Sequence, residues 1–201
     1  MQKTLSCSGT NLENNIMISD EHKFIFIHIP KTGGTSIERF FKNRPNRMLK
    51  HKTAQDYALE NPRIWNQYLK FTVVRNPWDW MVSWYFWRKQ NNKLSMKEFL
   101  LNYKMVSTEQ QLRELPKEMN FLTFVNIDNT ISIDHVCRFE NLQEDFNTVC
   151  DKIGIQQQRL PHKNKTKHKH YSEYYDDETR EIVAEKYAKD IEYFGYEFGE
   201  H

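Results

Sequence analysis

The chain has 201 residues, a formal net charge of +2, 38% hydrophobic residues and 14% aromatic residues. This aromatic content excludes a disordered chain, because such chains lack the apolar surface that offsets the entropy lost on ordering. The 29 basic residues nearly balance the 27 acidic ones, so overall charge gives no reason to expect a nucleic-acid partner and any basic site has to be local.

The length of the chain indicates the number of domains, and the spacing of the cysteines indicates the cellular compartment. At ~150 residues per domain one domain is expected, and we predict a polar lead-in over 1–20 and one domain over 21–201. Cys7, Cys137 and Cys150 have neither metal-ligand nor disulfide-framework spacing, which favours a reducing compartment. No apolar run approaches the ~18 residues of a membrane span, and the first residues lack the apolar segment of a secretory signal. We therefore expect a cytoplasmic protein without a membrane span.

Several segments have the composition of β-strands. Two are strong, because they are rich in β-branched and aromatic residues and are largely apolar. The strand candidates in chain order are 23–29, 47–50, 68–74, 121–125 and 133–139, and the strong ones are 23–29 and 68–74. An Asp-Asn turn at 128–129 lies between the last two.

Helices are predicted between these strands. Thr35 and Glu38 have the spacing of a capping box at the start of the first helix. Thr53 can cap a second helix, and Asn76 followed by Pro77 suits the start of a third. The predicted helices are the segment after 36, 53–59, 77–90, 96–103, 141–154 and 176–192. Strands that alternate with helices indicate an α/β fold with a mainly parallel central sheet flanked by helices.

A glycine-rich loop follows the first strong strand. Residues 30–36 are Pro-Lys-Thr-Gly-Gly-Thr-Ser, and the glycines let main-chain N–H groups approach an anion while the next helix adds free donors. Lys31 supplies a full charge, and Thr35 and Ser36 supply hydroxyls. A Walker A loop has its lysine after the second glycine, whereas Lys31 precedes both. A Gly-Gly turn with an incidental lysine is the alternative, but the strand before it and the helix after it favour a phosphate-type site.

This loop resembles the 5′-phosphosulfate loop of sulfotransferases that use 3′-phosphoadenosine 5′-phosphosulfate (PAPS). It is similar to the carbohydrate branch of that family, which includes the heparan sulfate 2-O- and 6-O-enzymes and short bacterial relatives. In the family, main-chain amides, the lysine and the Thr/Ser hydroxyls bind the 5′-phosphosulfate. The resemblance assigns those contacts to Lys31, Thr32, Gly33, Gly34, Thr35 and Ser36.

A second anion site is predicted where the strand 68–74 ends. An arginine at the carboxyl end of a strand, beside a helix start, suits an anion at the rim of an α/β sheet, and Arg75 has that place. The segment from Arg75 resembles the family's 3′-phosphate motif, which implies that Arg75 and Ser83 bind the 3′-phosphate. The chain departs from the motif at Trp80, where relatives often have arginine or lysine. The alternative is a capped helix with Arg75 in a surface ion pair.

Four of the five tryptophans lie on the helix that follows Arg75. They are Trp78, Trp80, Trp84 and Trp87. The last three share one face at helical spacing, which favours packing in the core. Stacking of an exposed ring on adenine or on a sugar is the alternative.

His51 is the candidate general base. Transfer of a sulfonate to an alcohol needs a group that takes the hydroxyl proton, and imidazole is the commonest base near neutral pH. Lys50 and Lys52 flank His51 and favour its neutral form, because like charge disfavours protonation. Resemblance to the heparan-type branch also places the catalytic histidine in this stretch. A surface histidine in a basic turn is the alternative, and His28 is expected to be a packed or hydrogen-bonded residue instead.

The segment 159–170 is strongly basic and contains no acidic residue. A solvated loop is the plain interpretation; the functional ones are a lid over the nucleotide and a groove for an anionic acceptor. Relatives have a similar Pro-His-x-Asn-Lys stretch here, which implies that Lys163 and Lys165 lie near the nucleotide. Three histidines of this segment have no neighbouring carboxylate or cysteine, so a zinc site is not expected. They are His162, His168 and His170.

The resemblance extends over about residues 24–198 and implies a single-domain, P-loop-like sulfotransferase. Its reaction would move the sulfonate of PAPS to an acceptor hydroxyl, on a saccharide, and release adenosine 3′,5′-bisphosphate (PAP). Lys31 would neutralise charge on the leaving oxygens and His51 would take the acceptor proton. Neither a metal ion nor a nucleic acid is expected to take part.

Two other functions stay open at this point. A small P-loop kinase would need a lysine after the glycines and a metal-binding aspartate, and neither is evident in the sequence. A non-enzymatic binder of an anionic polymer would use the basic segment 159–170 and would show a steep salt dependence without nucleotide affinity.

Overall fold

A computed structural model of the protein describes residues 17–42, 51–89, 94–102, 119–161 and 169–200. The strand predicted at 47–50 and residues 1–16 of the predicted lead-in lie outside the described residues. Among the described helices, none combines the length and the apolar character needed to cross a membrane.

Within the described residues, four strands form the central sheet. The strands in chain order are β1 (Ile18–Ser19), β2 (Phe24–Ile27), β3 (Leu69–Val74), β4 (Asn126–Ile127), β5 (Thr130–Ile131) and β6 (His135–Arg138). The sheet order is β1-β2-β3-β6, and β4 pairs with β5 in a separate hairpin. Strands β2 and β6 run parallel to β3, while β1 is antiparallel to β2. The predicted mainly parallel sheet is confirmed.

Helices occupy the connections between the parallel strands of the central sheet, as the alternating pattern predicts. The helices in chain order are α1 (Gly34–Phe40), α2 (Ala54–Glu60), α3 (Pro62–Gln67), α4 (Pro77–Lys89), α5 (Met96–Asn102), α6 (Phe121–Val125), α7 (Leu142–Lys152), α8 (Asp177–Lys186) and α9 (Ala188–Phe194), with 3-10 helices at Phe139–Asn141 and Tyr171–Tyr174. The predicted caps of α2 and α4 are confirmed. Thr53 and Asp56 form a capping box at α2, and the side-chain oxygen of Asn76 accepts the N–H of Trp78 at 3.1 Å.

Both faces of the sheet are covered. All four residues of β2 are at most 1% exposed, although successive side chains of a strand point to opposite faces. On one face Phe26 stacks on Phe71 with ring centroids 4.9 Å apart, and Phe71 in turn contacts Phe146 of α7. Burial of each such ring stabilises the fold by roughly 1.5–3 kcal/mol, so this aromatic cluster holds α7 against the sheet. Cys137 and Cys150 are buried free thiols in the same core.

The first helix starts differently from the prediction. Thr35 lies inside α1, and the N-cap is Gly33, which makes no side-chain hydrogen bond. The side chain of Glu38 is directed to His28, with 2.8 Å between Oε1 and Nδ1. The predicted capping box of Thr35 and Glu38 is therefore wrong, because the buried histidine takes the carboxylate that would have capped the helix.

Residues 121–125 form a helix, α6, and the predicted strand there is wrong. Asn120 caps it, accepting the N–H of Thr123 at 2.7 Å. The buried carboxylate of Asp190 accepts the N–H groups of the first two helical residues, at 2.8 and 2.9 Å. These acceptors satisfy free donors at the helix start, and such long-range partners are not visible in a short apolar sequence.

The predicted helix over 176–192 is divided into α8 and α9 at Tyr187. Tyr187 has φ −113° and ψ 21°, and its buried hydroxyl lies 3.4 Å from the sulfur of Met81. The break lets α9 bring Asp190 to the start of α6. The predicted Asp-Asn turn is confirmed, since Asp128 and Asn129 have φ of 48° and 63°, although it joins the two-residue strands β4 and β5.

Candidate functional site

The candidate site lies at the edge of the sheet where the parallel strands end. Strand β2 leads into the loop 30–36, β3 into Arg75, and β6 into Glu140. Such an edge is the usual ligand site of an open α/β sheet. The two predicted anion motifs meet here, because Nη1 of Arg75 donates to the main-chain oxygen of Lys31 at 3.0 Å.

Both glycines of the loop are required by their surroundings. Gly33 has φ 86°, in the left-handed region that favours glycine, and a Cβ there would lie 2.9 Å from Leu142. A Cβ on Gly34 would lie 2.3 Å from the ring of His28. The loop therefore passes too close to its neighbours to carry side chains at these positions, and its main chain is free of Cβ atoms where the resemblance places the anion.

The three hydroxyls of the loop differ in their environment. Thr32 is fully buried and donates to the main-chain oxygen of Ile29 at 2.8 Å. Its hydroxyl braces the loop, so a contact of Thr32 with an anion would come from its main-chain N–H. Thr35 and Ser36 are half-buried in the first turn of α1, and their side chains have the more suitable position for donating to a ligand.

Lys31 lies beside the tryptophan face of α4. It has φ 67°, and its Nζ is 5.9 Å from the ring centroids of both Trp84 and Trp87. Burial and, secondly, the charge of Arg75 lower the pKa of the Lys31 ammonium to about 8. A second cation so close to a partly buried lysine costs free energy unless an anion joins them, so this pair of charges favours anion binding.

The lowered pKa of Lys31 predicts a pH dependence of nucleotide binding. Below about pH 8 Lys31 carries its charge. Above this pH the Lys31 side chain is neutral, so a bisphosphate that binds to the charged form has to draw a proton from solution onto Lys31. We expect the affinity for PAP to fall by up to about tenfold per pH unit above that point, as measured by calorimetry in buffers of different ionisation enthalpy. The Lys31→Arg variant keeps its charge and should show a flat profile; the same decline in both proteins would assign the proton to another group.

Arg75 is held in place by three groups. It is 7% exposed, its Nε donates to Asp79 at 2.7 Å, and its guanidinium lies 4.0 Å from the ring of Phe139, besides its bond to the loop. Asp79 was not predicted as a site residue, although its position four residues after Arg75 is the spacing of a helical ion pair. The ion pair, one of the two interpretations of Arg75, is therefore present, but it is largely buried and adjoins the loop.

Glu140 is a second site residue that sequence analysis missed. Its Oε1 accepts the main-chain N–H of Asn76 at 2.6 Å, and Tyr196 lies 3.4 Å from its Oε2. Burial raises the pKa of the Glu140 carboxyl, although Arg75 and the N–H bond oppose this. No sequence spacing relates Glu140 to Asn76, because only the parallel pairing of β3 with β6 brings the two strand ends together.

The tryptophans of α4 mainly pack in the core. Trp80 is fully buried and its indole N–H donates to the main-chain oxygen of Pro30 at 2.7 Å. The residue that departs from the family's motif thus supports the loop. Trp78 and Trp84 are also buried, whereas Trp87 is 47% exposed. Ser83, half-buried in the same helix, immediately precedes Trp84.

His51 lies beside the end of β2. Its Nδ1 is 2.9 Å from the main-chain oxygen of His28, and because a carbonyl can only accept, Nδ1 carries the proton. In the neutral ring Nε2 then holds the lone pair that a general base needs. The rings of His51 and His28 are 4.8 Å apart at 61°. His28 itself is buried and paired with Glu38, as a packed residue.

The basic segment is only partly described. Lys163 and Lys165 lie outside the described residues, as do His162 and His168. Its carboxyl end adjoins the site through Tyr171, the residue that follows the segment. The hydroxyl of Tyr171 accepts hydrogen bonds from Nδ2 of Asn76 at 3.2 Å and from the N–H of Gly199 at 2.7 Å. Within the described ranges no group of three histidine, cysteine or acidic residues is placed to hold a metal ion.

The C-terminal Phe-Gly-Tyr turn packs against the core. Phe194 and Tyr196 are 7% and 4% exposed, and Gly195 between them has φ 63°. Arg138 donates to the main-chain oxygen of Phe194 and its guanidinium lies 4.7 Å from the ring of Tyr196. The end of the chain is thereby attached to β6, next to Glu140.

Comparisons with known proteins give one family. A crystal structure of a sulfotransferase from Alicyclobacillus acidocaldarius is similar at 17% identity and a TM-score of 0.42, over 69% of this chain and 56% of that one. The chain thus spans little more than half of that protein. No curated protein matches at a significant level. The profile of the sulfotransferase family matches residues 14–197, nearly the whole length, so the chain belongs to the sulfotransferase family.

Proposed function

We propose that this protein is a PAPS-dependent sulfotransferase that sulfates a hydroxyl of a saccharide. The observation that carries the proposal is the contact between the two anion motifs, in which Nη1 of Arg75 lies 3.0 Å from the main-chain oxygen of Lys31. The contact attaches Arg75 to the loop that carries Lys31, so each of the two anion motifs contributes a cation to the same region. A ligand with two separate anionic groups, as in PAPS, fits these residues.

The donor set supports binding of PAPS at this edge of the sheet. The loop main chain at 33–36 and Lys31 would hold the 5′-phosphosulfate, and Arg75 with Ser83 would hold the 3′-phosphate. When bound, PAPS supplies the sulfonate: the acceptor oxygen bonds to sulfur as the bond from sulfur to the 5′-phosphate oxygen breaks. The resemblance further supports a contact of Lys163 and Lys165 in the basic segment with the nucleotide.

His51 completes the proposed reaction. Nε2 takes the proton of the acceptor hydroxyl, and Nδ1 keeps its proton through the bond to His28. Lys31 stays protonated at neutral pH, since its pKa is about 8, and its charge balances that developing on the leaving phosphate oxygen. Each of these residues therefore acts on an atom whose charge changes during transfer.

The first experiment tests the donor. PAP should stabilise the protein by about 2.7 kcal/mol at ~100 times its dissociation constant, measured as a shift in thermal unfolding. AMP lacks the 3′-phosphate and should stabilise it clearly less at the same concentration. Equal shifts for the two nucleotides would remove Arg75 and Ser83 from the site, and no shift with either would reject the donor.

The second experiment tests the acceptor class. PAPS is incubated with the protein and with saccharide, lipid and phenol acceptors, and the products are resolved by mass. We expect a sulfonate mass increment on saccharides. Transfer to a phenol alone would keep the donor and overturn the saccharide, and turnover that requires magnesium and ATP would identify the alternative kinase.

A further inference from the structure

A buried acid–base pair lies directly beneath the candidate site. Glu38 of α1 and His28 after β2 are 7% and 3% exposed, with 2.8 Å between Oε1 and Nδ1. Neither residue has a role in the proposed transfer. Burying ionisable groups costs free energy even when they are paired. A pair that is kept in the core beside the loop is therefore a candidate for a functional role.

The ring of His28 lies between the loop and the candidate base. On one side it occupies the space over Gly34, where a Cβ would be 2.3 Å away. On another side its ring meets that of His51 at 4.8 Å, while its main-chain oxygen accepts from His51 Nδ1. The ring also stacks on Phe26 at 5.4 Å. One side chain thus touches both the loop that would hold the sulfonate and the group that would take the proton.

We propose that His28, held in one orientation by Glu38, is a positioning residue that sets the distance and orientation of His51 relative to the phosphosulfate loop. This inference rests on the proposed function, because it concerns that same site. His28 does not touch the reacting atoms; it acts through His51 and through the main chain at Gly34.

The physical basis is the sensitivity of a bimolecular step to alignment. The loop fixes the sulfonate and His51 fixes the acceptor oxygen, and a misplacement of ~1 Å between them costs about 10²-fold in rate. Without the carboxylate of Glu38 the His28 ring loses the partner of Nδ1 and can turn about its side-chain bonds. The contact with His51 then loosens, although the loop keeps Gly33, Gly34 and Lys31.

The test is a series at Glu38. Glu38→Gln keeps an oxygen for Nδ1 of His28 and should retain near-parental activity. Glu38→Ala removes the partner and should lower kcat about 10–100-fold while the PAP dissociation constant changes less than about threefold. Glu38→Asp shortens the side chain and should lie between the two; it carries the test should the alanine variant not fold. The matched control is Glu60→Ala, which removes an exposed carboxylate 2.5 Å from Lys52, next to His51, and should leave kcat unchanged.

A second measurement does not depend on turnover. Side-chain nitrogen NMR of His51, at about pH 8.5 where imidazole is neutral and assigned by comparison with His51→Ala, should show Nδ1 protonated in the parent and in Glu38→Gln. Glu38→Ala should keep this tautomer, because the main-chain oxygen of His28 still accepts from Nδ1, but should shift or broaden the His51 ring-nitrogen signals, because the His28 ring that packs on His51 at 4.8 Å turns.

The outcomes separate this proposal from the proposed function. Unchanged His51 ring signals and an unchanged kcat in Glu38→Ala and Glu38→Asp would overturn the positioning role, and loss of PAP affinity in step with kcat would make the pair purely structural. His51 ring signals that shift as expected in a protein that transfers no sulfonate would support the positioning role and reject the proposed function.

Discussion

His51→Ala should lower sulfonate transfer by about 10²–10⁴-fold, the usual contribution of a general base, while PAP affinity stays near that of the parent. The expectation follows from the position of the ring: Nδ1 is bound to the main chain of His28, so the variant removes the lone pair of Nε2 without removing a phosphate ligand. Single-turnover rates with saturating PAPS measure the loss, and PAP titration measures the affinity.

Two further variants distinguish a base from a structural group. His51→Asn can still donate an amide hydrogen to the His28 oxygen but cannot accept the proton, so it should be as slow as the alanine variant and at least as stable. Added imidazole should restore part of the activity of His51→Ala, where there is space for it. Near-parental turnover in either variant would show that another residue takes the proton. Loss of PAP binding together with the loss of rate would show that His51 has a structural role.

Much of the fold was predictable because its strongest signals are local. The segments 23–29 and 68–74 are dense in β-branched and aromatic residues and became the two central strands β2 and β3. Thr53 and Asn76 are short polar side chains that can bond the next main-chain N–H groups, whatever the rest of the chain does. These elements depend on contacts within a few residues.

The errors occurred where a distant residue decides the local structure. Residues 121–125 have the composition of a strand, yet the carboxylate of Asp190 accepts the first N–H groups of the helix there. Glu38 has the spacing of a cap but pairs with His28. In both cases a buried partner from another element outweighs the local preference, and a single sequence does not contain that distance information.

The candidate site was predictable in its loop and its arginine, but not in the acids around them. Glycines and a lysine after a strand have a local physical meaning. Asp79 and Glu140 instead act through the surroundings: Asp79 binds Nε of Arg75, and Glu140 binds the main chain of Asn76. Their presence changes what removal of Arg75 should do, because Arg75 balances negative charge as well as offering a ligand site.

Arg75→Ala should weaken PAP binding by about 10–150-fold, equivalent to the loss of a charge-assisted hydrogen bond of ~1.5–3 kcal/mol, and should change AMP binding much less. The difference between the nucleotides arises because only PAP carries the 3′-phosphate. The variant also leaves Asp79, whose side chain is 16% exposed, without its guanidinium partner at 2.7 Å. An uncompensated carboxylate near an anion repels it, so the measured loss should lie toward the upper end of this range.

The double variant Arg75→Ala/Asp79→Ala separates the two contributions. It removes the repelling carboxylate along with the guanidinium, so it should bind PAP more tightly than Arg75→Ala but more weakly than the parent. Asp79→Ala alone frees Nε of Arg75 and should keep PAP affinity within about threefold, since the guanidinium retains its bond to the Lys31 oxygen. Because Arg75 and Asp79 are in contact, the effects of the two single substitutions should not add up to that of the double variant. Calorimetric titration of all four proteins with PAP and with AMP completes the cycle. Equal losses for the two nucleotides in Arg75→Ala would place Arg75 away from the 3′-phosphate and leave it as a support of the loop.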